Sequence, residues 1–278
     1  MFYLLLAIFS SALISLAMRA SEKYVSNDLG VTATNYVVCS LLAVFYTGPA
    51  QVLPRGDGAG IALWMGVVSG VMYLVSLLLL QWNVSRNGVV LSTTFMKLGV
   101  LVPTTLSLLF FQERLGIGQI IGYLCALAAI LLIHFDGGGE KAEKRGALLL
   151  LLLIGGTTDA MSKIYERLGE GEWKDQYLFY TFLTALILCV GLILMKRQRI
   201  GRSELFFGTL VGVPNYFCSR FLLMSLDSVP AVVAYPTYSV ATLAVVSCAG
   251  LLIFREKLSQ RRCLAVGIIM AALVLLNL

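Results

Sequence analysis

Three charged residues within apolar segments are the side chains of this sequence best placed to do chemistry. Lys97 lies in the run STTFMKLGVL, Asp159 lies in a second apolar run and Arg220 in a third. A charge in apolar surroundings is costly unless it faces a polar cavity or an opposite charge. A cation so placed can bind a carboxylate or phosphate group, whereas a buried acid can bind a cation or take up a proton.

Each of these charges leaves two interpretations open. We predict that Lys97 faces a cavity and attracts an anionic group; the alternative is a structural ion pair with Asp159 or another acid. Asp159 and Lys163 are four residues apart on one helix face, which favours a local ion pair. The alternative makes Asp159 a proton-exchanging acid. Arg220 can bind a ligand or extend along the helix to a polar surface.

Polar and aromatic residues accompany two of these segments. Asn215 and Tyr216 precede Arg220, and we expect them to line a polar strip there. In the segment AVVAYPTYSVAT, at 231–242, Tyr235 and Tyr238 flank a proline. Such rings can stack on a ligand or surround an ammonium group, although packing alone is the alternative.

No metal site, cofactor site or enzyme activity is predicted. The six cysteines lie in apolar runs without a CxxC spacing, so they are interpreted as small packing residues. The chain has a single histidine, His134. Motifs of membrane enzymes, such as HExxH, do not occur in it.

Composition defines the elements that must position these residues. Of 278 residues, 59% are hydrophobic and 13% charged, and the mean hydropathy is +0.87. Soluble domains are about 45–50% apolar and about 25% charged, so we predict an all-α integral membrane protein. The net charge of +6 then reports on topology and does not indicate nucleic acid.

Ten apolar segments are long enough, or nearly so, to be transmembrane spans. They lie at 1–18, 32–47, 60–82, 88–111, 117–134, 146–165, 175–195, 204–226, 230–254 and 262–277. A polar linker at 136–146 divides them into halves, 1–138 and 139–278. Lys and Arg are enriched in the loops after odd-numbered spans, which favours both termini outside the cell.

The two halves are related by an offset of 143 residues. The offset aligns 73–115 with 216–258, and the matched pairs include Tyr73 with Tyr216 and Thr94 with Thr237. Because each half has an odd number of spans, the second enters the membrane inverted. Inverted repeats are a common transporter plan with a ligand site near the midplane. Lys97 aligns with Val240, an asymmetry that suits an asymmetric ligand.

Two further segments resemble each other and a known family. FFQERLGIGQIIGYLCALAAILLI, at 110–133, and IFREKLSQRRCLAVGIIMAALVLL, at 253–276, are similar to the repeated signature of the drug/metabolite transporter superfamily, specifically its EamA-like branch. The resemblance implies a ten-helix secondary transporter of the plasma membrane, with a cavity lined by spans 1, 3, 4, 6, 8 and 9. It also implies cytoplasmic termini, against the charge count.

These observations predict a secondary transporter that moves a small polar metabolite by alternating access. An anionic or zwitterionic solute, such as an amino acid or organic anion, fits the cations. The candidate binding residues are Lys97, Arg220, Asn215, Tyr216, Tyr235, Tyr238 and Thr94, with Asp159 for ion coupling. The alternative is an exporter of cationic or lipophilic compounds that uses Asp159. Span 1 lacks the central glutamate of small multidrug transporters, which weakens that alternative.

The expected partners are the substrate, the lipid bilayer and protons or another coupling ion, and the chain can act as a monomer or a homodimer. Two structural features are also predicted. Small-xxx-small pairs, Gly66 with Gly70 and Gly208 with Gly212, predict close helix packing. Glu113, before span 5, and Glu256, before span 10, are expected to cap the helices that follow them.

Overall fold

A computed structural model describes residues 1–21, 24–25, 27–48, 52–53, 56, 58–87, 89–134, 145–252 and 260–276. Within these ranges the chain is helical and contains no strand. The α-helices are α1 (Phe2–Ser21), α2 (Asp28–Thr47), α3 (Ala59–Asn87), α4 (Val89–Leu98), α5 (Leu101–Phe110), α6 (Ile117–His134), α7 (Arg145–Leu168), α8 (Lys174–Met195), α9 (Arg202–Ser225), α10 (Ala231–Leu252) and α11 (Gln260–Leu276). The all-α class predicted from composition is therefore confirmed.

Five helical segments of the described chain are long and apolar enough to cross a membrane. They are Phe2–Ser21, Asp28–Thr47, Ala59–Leu80, Gly146–Leu168 and Gly171–Met195. Large apolar side chains also lie on the surface, including Phe45, Trp64 and Phe110, which are 77, 71 and 75% exposed. Water would penalise such a surface whereas lipid would not, so exposure and length both support the membrane-protein class.

The segment at 88–111, predicted as one continuous span, forms two helices instead. Gly99 and Val100 make a turn between α4 and α5. Pro103 lies in the first turn of α5; its nitrogen has no hydrogen to donate, so it cannot continue the hydrogen-bond ladder of α4. Gly156 of α7 packs directly against this turn, and a Cβ atom there would overlap the Gly99 carbonyl.

The chain forms two compact units. The first contains 1–74 and 164–225, and the second contains 75–163 and 226–278. Each unit therefore draws helices from both halves of the sequence. The halves 1–138 and 139–278 remain a prediction about sequence repeats, which is a separate property from this division by packing.

In the first unit, glycines let helices pack closely. A Cβ atom on Gly208 or Gly212 of α9 would approach Thr34 or Val38 of α2 to within 3 Å. Gly66 and Gly70 of α3 are similarly close to α8, where the backbone near Tyr177 and Thr181 occupies the space of a side chain. The predicted packing role of both glycine pairs is confirmed.

In the second unit, α6 packs along α11. Gly122 makes the close approach, since a Cβ atom there would lie 2.9 Å from Leu275 and 3.1 Å from the Ala272 carbonyl oxygen. The helix α10 packs against α5 and α11. The helix α4 packs against α6, and α7 contacts the turn after α4 through Gly156.

Candidate functional site

Lys97 lies in the last turn of α4, immediately before the turn that separates α4 from α5. Its side chain is half-buried. The C-terminal end of a helix carries a partial negative charge from its free carbonyls, which stabilises a cation there. The broken span therefore provides a favourable environment for a lysine that a continuous apolar helix would lack. The repeat counterpart Val240 is fully buried in α10.

Asp159 lies on an open face of α7 in the same unit. It is exposed, whereas its neighbours Thr158 and Ala160 are buried in the packing of the helix. Lys97 is the positive charge that acts electrostatically on this carboxylate. The structure thus places Lys97 and Asp159, which the sequence separates by 62 residues (159 − 97), within electrostatic reach of each other.

Tyr235 connects α10 to the same region. Its hydroxyl group donates a hydrogen bond of 2.9 Å to the backbone carbonyl oxygen of Asp159, and its ring is buried. Because the hydroxyl donor is engaged, Tyr235 positions α7 against α10. Tyr238, one turn further along α10, is half-buried. The side chain of Thr94, also a predicted binding residue, lies outside the described residues.

Lys163 has a different partner from the one that its spacing to Asp159 suggested. Its ammonium group forms an ion pair of 3.0 Å with Glu113, which lies between α5 and α6. The second carboxylate oxygen of Glu113 accepts a 3.0 Å hydrogen bond from the backbone N–H of Val232 in the first turn of α10. This carboxylate therefore links α7 to α10.

The predicted capping role of Glu113 thus applies to another helix. It caps α10, not the helix α6 that follows it in sequence. Near the start of α6, the Gln119 side chain accepts from the N–H of Gly116 instead. Glu256, the repeat counterpart, lies outside the described residues.

In the first unit, Arg220 is held by two partners that sequence reasoning missed. Its guanidinium group donates a 3.0 Å hydrogen bond to Asp175 in the first turn of α8. It also lies 4.0 Å from the centre of the Tyr46 ring, a cation–π contact. Both partners are distant in sequence, so no local spacing could have indicated them.

The residues before Arg220 contribute to packing between α2 and α9. The Asn215 amide donates to the side-chain oxygen of Asn35 at 3.1 Å and to the Cys39 sulfur at 3.7 Å. Tyr216 is fully buried and stacks on Tyr46 with the ring centres 5.7 Å apart. The polar strip predicted around Arg220 therefore faces a neighbouring helix, at least at these two residues.

The arrangement is suited to ionic recognition. No group of three His, Cys, Asp or Glu side chains suited to a metal ion occurs in the described ranges. A lysine and an accessible carboxylate in apolar helices can instead bind opposite charges of one small molecule. The absence of a cofactor remains a prediction.

Comparison with known proteins defines the fold but no family. No family model matches the chain, and no curated protein matches it either. Solved structures do match, and one titled "Crystal structure of protein" has a TM-score of 0.79 at 13% sequence identity. The alignment covers 99% of this chain and 94% of that one. At this identity the likeness establishes a shared architecture over the whole length and says nothing of function.

Proposed function

We propose that this protein is a secondary transporter that moves a small polar metabolite, anionic or zwitterionic, across the plasma membrane by alternating access. The observation that carries the proposal is the electrostatic interaction between Lys97 and Asp159, two opposite charges on apolar helices, of which Asp159 is exposed. A zwitterion such as an amino acid complements both, with its carboxylate at Lys97 and its ammonium group at Asp159. An anion would engage Lys97 alone.

The interrupted span supports this proposal. Transporters commonly bind their substrates where a membrane helix is broken, because the freed backbone groups and helix ends add polar contacts within the bilayer. Here the break between α4 and α5 follows Lys97 by one residue, Leu98. The half-buried tyrosine Tyr238 offers an aromatic surface in the same unit.

The positions of the helices support two repeats and ten spans. Counting α4 and α5 as one broken span gives five helical segments before the linker at 136–146 and five after it. Four pairs of segments begin 143 residues apart, at 2 and 145, 28 and 171, 59 and 202, and 117 and 260. The same offset relates the two halves in sequence. It is consistent with the inverted repeats implied by the resemblance to EamA-like transporters.

A second candidate function is export of cationic or lipophilic compounds. The exposure of Asp159 favours it, since an accessible carboxylate can bind a cation or exchange a proton. In this mechanism Lys97 would compete with the substrate for the carboxylate. The two functions therefore differ in which charge contacts the solute.

Counterflow assays in proteoliposomes test the proposal. Exchange of labelled amino acids, dicarboxylates and quaternary ammonium compounds is measured for the wild type, Lys97→Gln and Asp159→Asn. The control is Arg197→Gln, whose side chain is exposed outside the helices. We expect amino-acid or dicarboxylate exchange in the wild type and in the control. A charged contact contributes about 1.5–3 kcal/mol, so Lys97→Gln should weaken apparent affinity by roughly 10- to 100-fold.

The substrate spectrum separates the two candidate functions. Exchange of quaternary ammonium compounds alone, lost in Asp159→Asn and retained in Lys97→Gln, would replace the first proposal by the second. No exchange of any compound class would contradict both. Loss of amino-acid exchange in both charge variants would indicate a zwitterion bound between the two side chains.

A further inference from the structure

An apolar groove lies between α1 and α9 in the first unit. It has a volume of about 750 Å³ and is lined by Leu13, Leu16, Ala17 and Ala20 of α1 and by residues of α9 between Phe206 and Pro214. On α1 the lining positions follow i, i+3, i+4 and i+7, so they form one helix face. Two of the four are alanines, whose small side chains leave space beside the larger residues of α9.

A smaller pocket of about 460 Å³ adjoins this groove at the beginning of α9. It is lined by Tyr24, Arg202, Ser203, Phe206 and Phe207. Phe206 lines both cavities, so the apolar groove is a neighbour of a pocket that carries a cation and hydroxyl groups.

One face of α9 carries the basic residue of the pocket and, further along the helix, the apolar residues of the groove. Arg202, Phe206, Leu210 and Val213 follow a helical spacing, and the basic residue occupies the helix end. Side chains tilt toward the N-terminus of a helix, so Arg202 extends beyond the first turn of α9. With a rise of 1.5 Å per residue, Arg202 and Val213 are separated by about 16 Å along the helix axis. That distance suits a headgroup at one end and part of an acyl chain along the groove.

The surroundings of the pocket match a membrane interface. Tyr24 stacks on Phe207 with ring centres 5.8 Å apart, and aromatic residues are enriched at the level of lipid headgroups. Further basic residues lie close to the pocket residues in the chain: Arg19 is in the last turn of α1, and Lys196, Arg197 and Arg199 lie between α8 and the beginning of α9. Such enrichment marks the cytoplasmic side, where anionic lipids give the membrane a negative surface potential.

From this geometry we propose that the groove is a binding site for one anionic glycerophospholipid. One acyl chain lies between α1 and α9, and the phosphate group lies at Arg202 beside Ser203 and Tyr24. The apolar lining excludes a free polar solute from the groove, while Arg202 favours an anionic headgroup. This site shares no residue with the Lys97 and Asp159 region and does not depend on the proposed transport.

Native mass spectrometry of the detergent-solubilised protein tests this site. Phosphatidylglycerol is compared with phosphatidylcholine of the same acyl chains. One basic residue at an anionic lipid surface contributes about 1 kcal/mol, so we expect an about fivefold preference for phosphatidylglycerol. Arg202→Gln should abolish that preference, and Arg202→Lys should retain most of it.

Two further variants separate the groove from general surface charge. Thr209→Phe fills the groove from an exposed position and should weaken binding of both lipids. Arg199→Gln removes a neighbouring charge outside both cavities and should change neither. Equal affinity for the two lipids would overturn the proposal, as would equal losses in Arg199→Gln and Arg202→Gln. Displacement of phosphatidylglycerol by inorganic phosphate alone would identify a free-anion site and would also overturn it.

Discussion

Glu113 and Lys163 form an ion pair of 3.0 Å in which the side chains are only 15 and 5% exposed. The same carboxylate accepts a hydrogen bond from the first turn of α10, and the ammonium group lies 5.8 Å from the Phe111 ring. One glutamate therefore joins α7 to α10 and satisfies a buried cation. It joins the two helices that carry Asp159 and Tyr235.

Glu113→Gln should destabilise the protein strongly. The substitution removes the carboxylate charge that contacts the buried Lys163 ammonium, and breaking a buried pair typically costs about 3–5 kcal/mol. Thermal unfolding in detergent measures the loss. The control is Glu172→Gln, at an exposed position in the short turn before α8. The double variant Glu113→Gln/Lys163→Met should recover much of the stability; no recovery would show that the ion pair is not the cause.

The Arg220–Asp175 contact should make a smaller contribution. These side chains are 19 and 28% exposed, so solvent and mobility weaken the attraction to roughly 1 kcal/mol. A double-mutant cycle with Arg220→Gln and Asp175→Asn measures this coupling energy. Tyr46→Leu should also destabilise the protein because the guanidinium lies on its ring. This loss should not add to that of Arg220→Gln, since both variants remove the same contact. A coupling energy of zero would mean that the pair makes no net contribution.

The effect of a glycine substitution on stability should depend on the atoms that surround the glycine. Gly212→Ala places a methyl group 2.8 Å from Val38 Cβ and 3.0 Å from the Asn35 carbonyl oxygen, and such overpacking costs about 1–3 kcal/mol. Gly191→Ala in α8 meets nothing within 4 Å. It should be neutral or stabilising by up to about 1 kcal/mol, because alanine favours helix. Equal melting temperatures for both variants would contradict the close packing of α2 and α9.

Two adjacent glycines provide a sharper comparison at the break in the fourth predicted span. Gly156→Ala would push against the Gly99 carbonyl and Val102, whereas Gly155→Ala makes ordinary contacts at 3.5 and 4.0 Å. We expect Gly156→Ala to displace the turn next to Lys97 and to reduce counterflow, while Gly155→Ala retains it. Thermal unfolding distinguishes displacement of the turn from general loss of folding. Full activity in Gly156→Ala would show that the turn tolerates movement.

The sequence by itself determined the all-α class of the protein and where most of its helices lie along the chain, but not the break at 88–111. In a bilayer the backbone must satisfy its own hydrogen bonds, so long apolar runs such as those at 1–18 and 146–165 leave helix as the available solution. The spacing of Gly66 and Gly70 also predicted close packing correctly. Glycine has no side chain, so it allows close approach of whichever helix is its neighbour. These are local properties, readable from composition and spacing.

The tertiary structure alone decided which polar groups meet. Lys163 was expected to pair within its own helix, yet it pairs with Glu113, 50 residues earlier (163 − 113). Asp175 and Tyr46, the partners of Arg220, lie on two other helices. Local spacing specifies only which residues share a face of one helix. Which faces then meet depends on how whole helices pack, so the partners of buried charges follow from that packing.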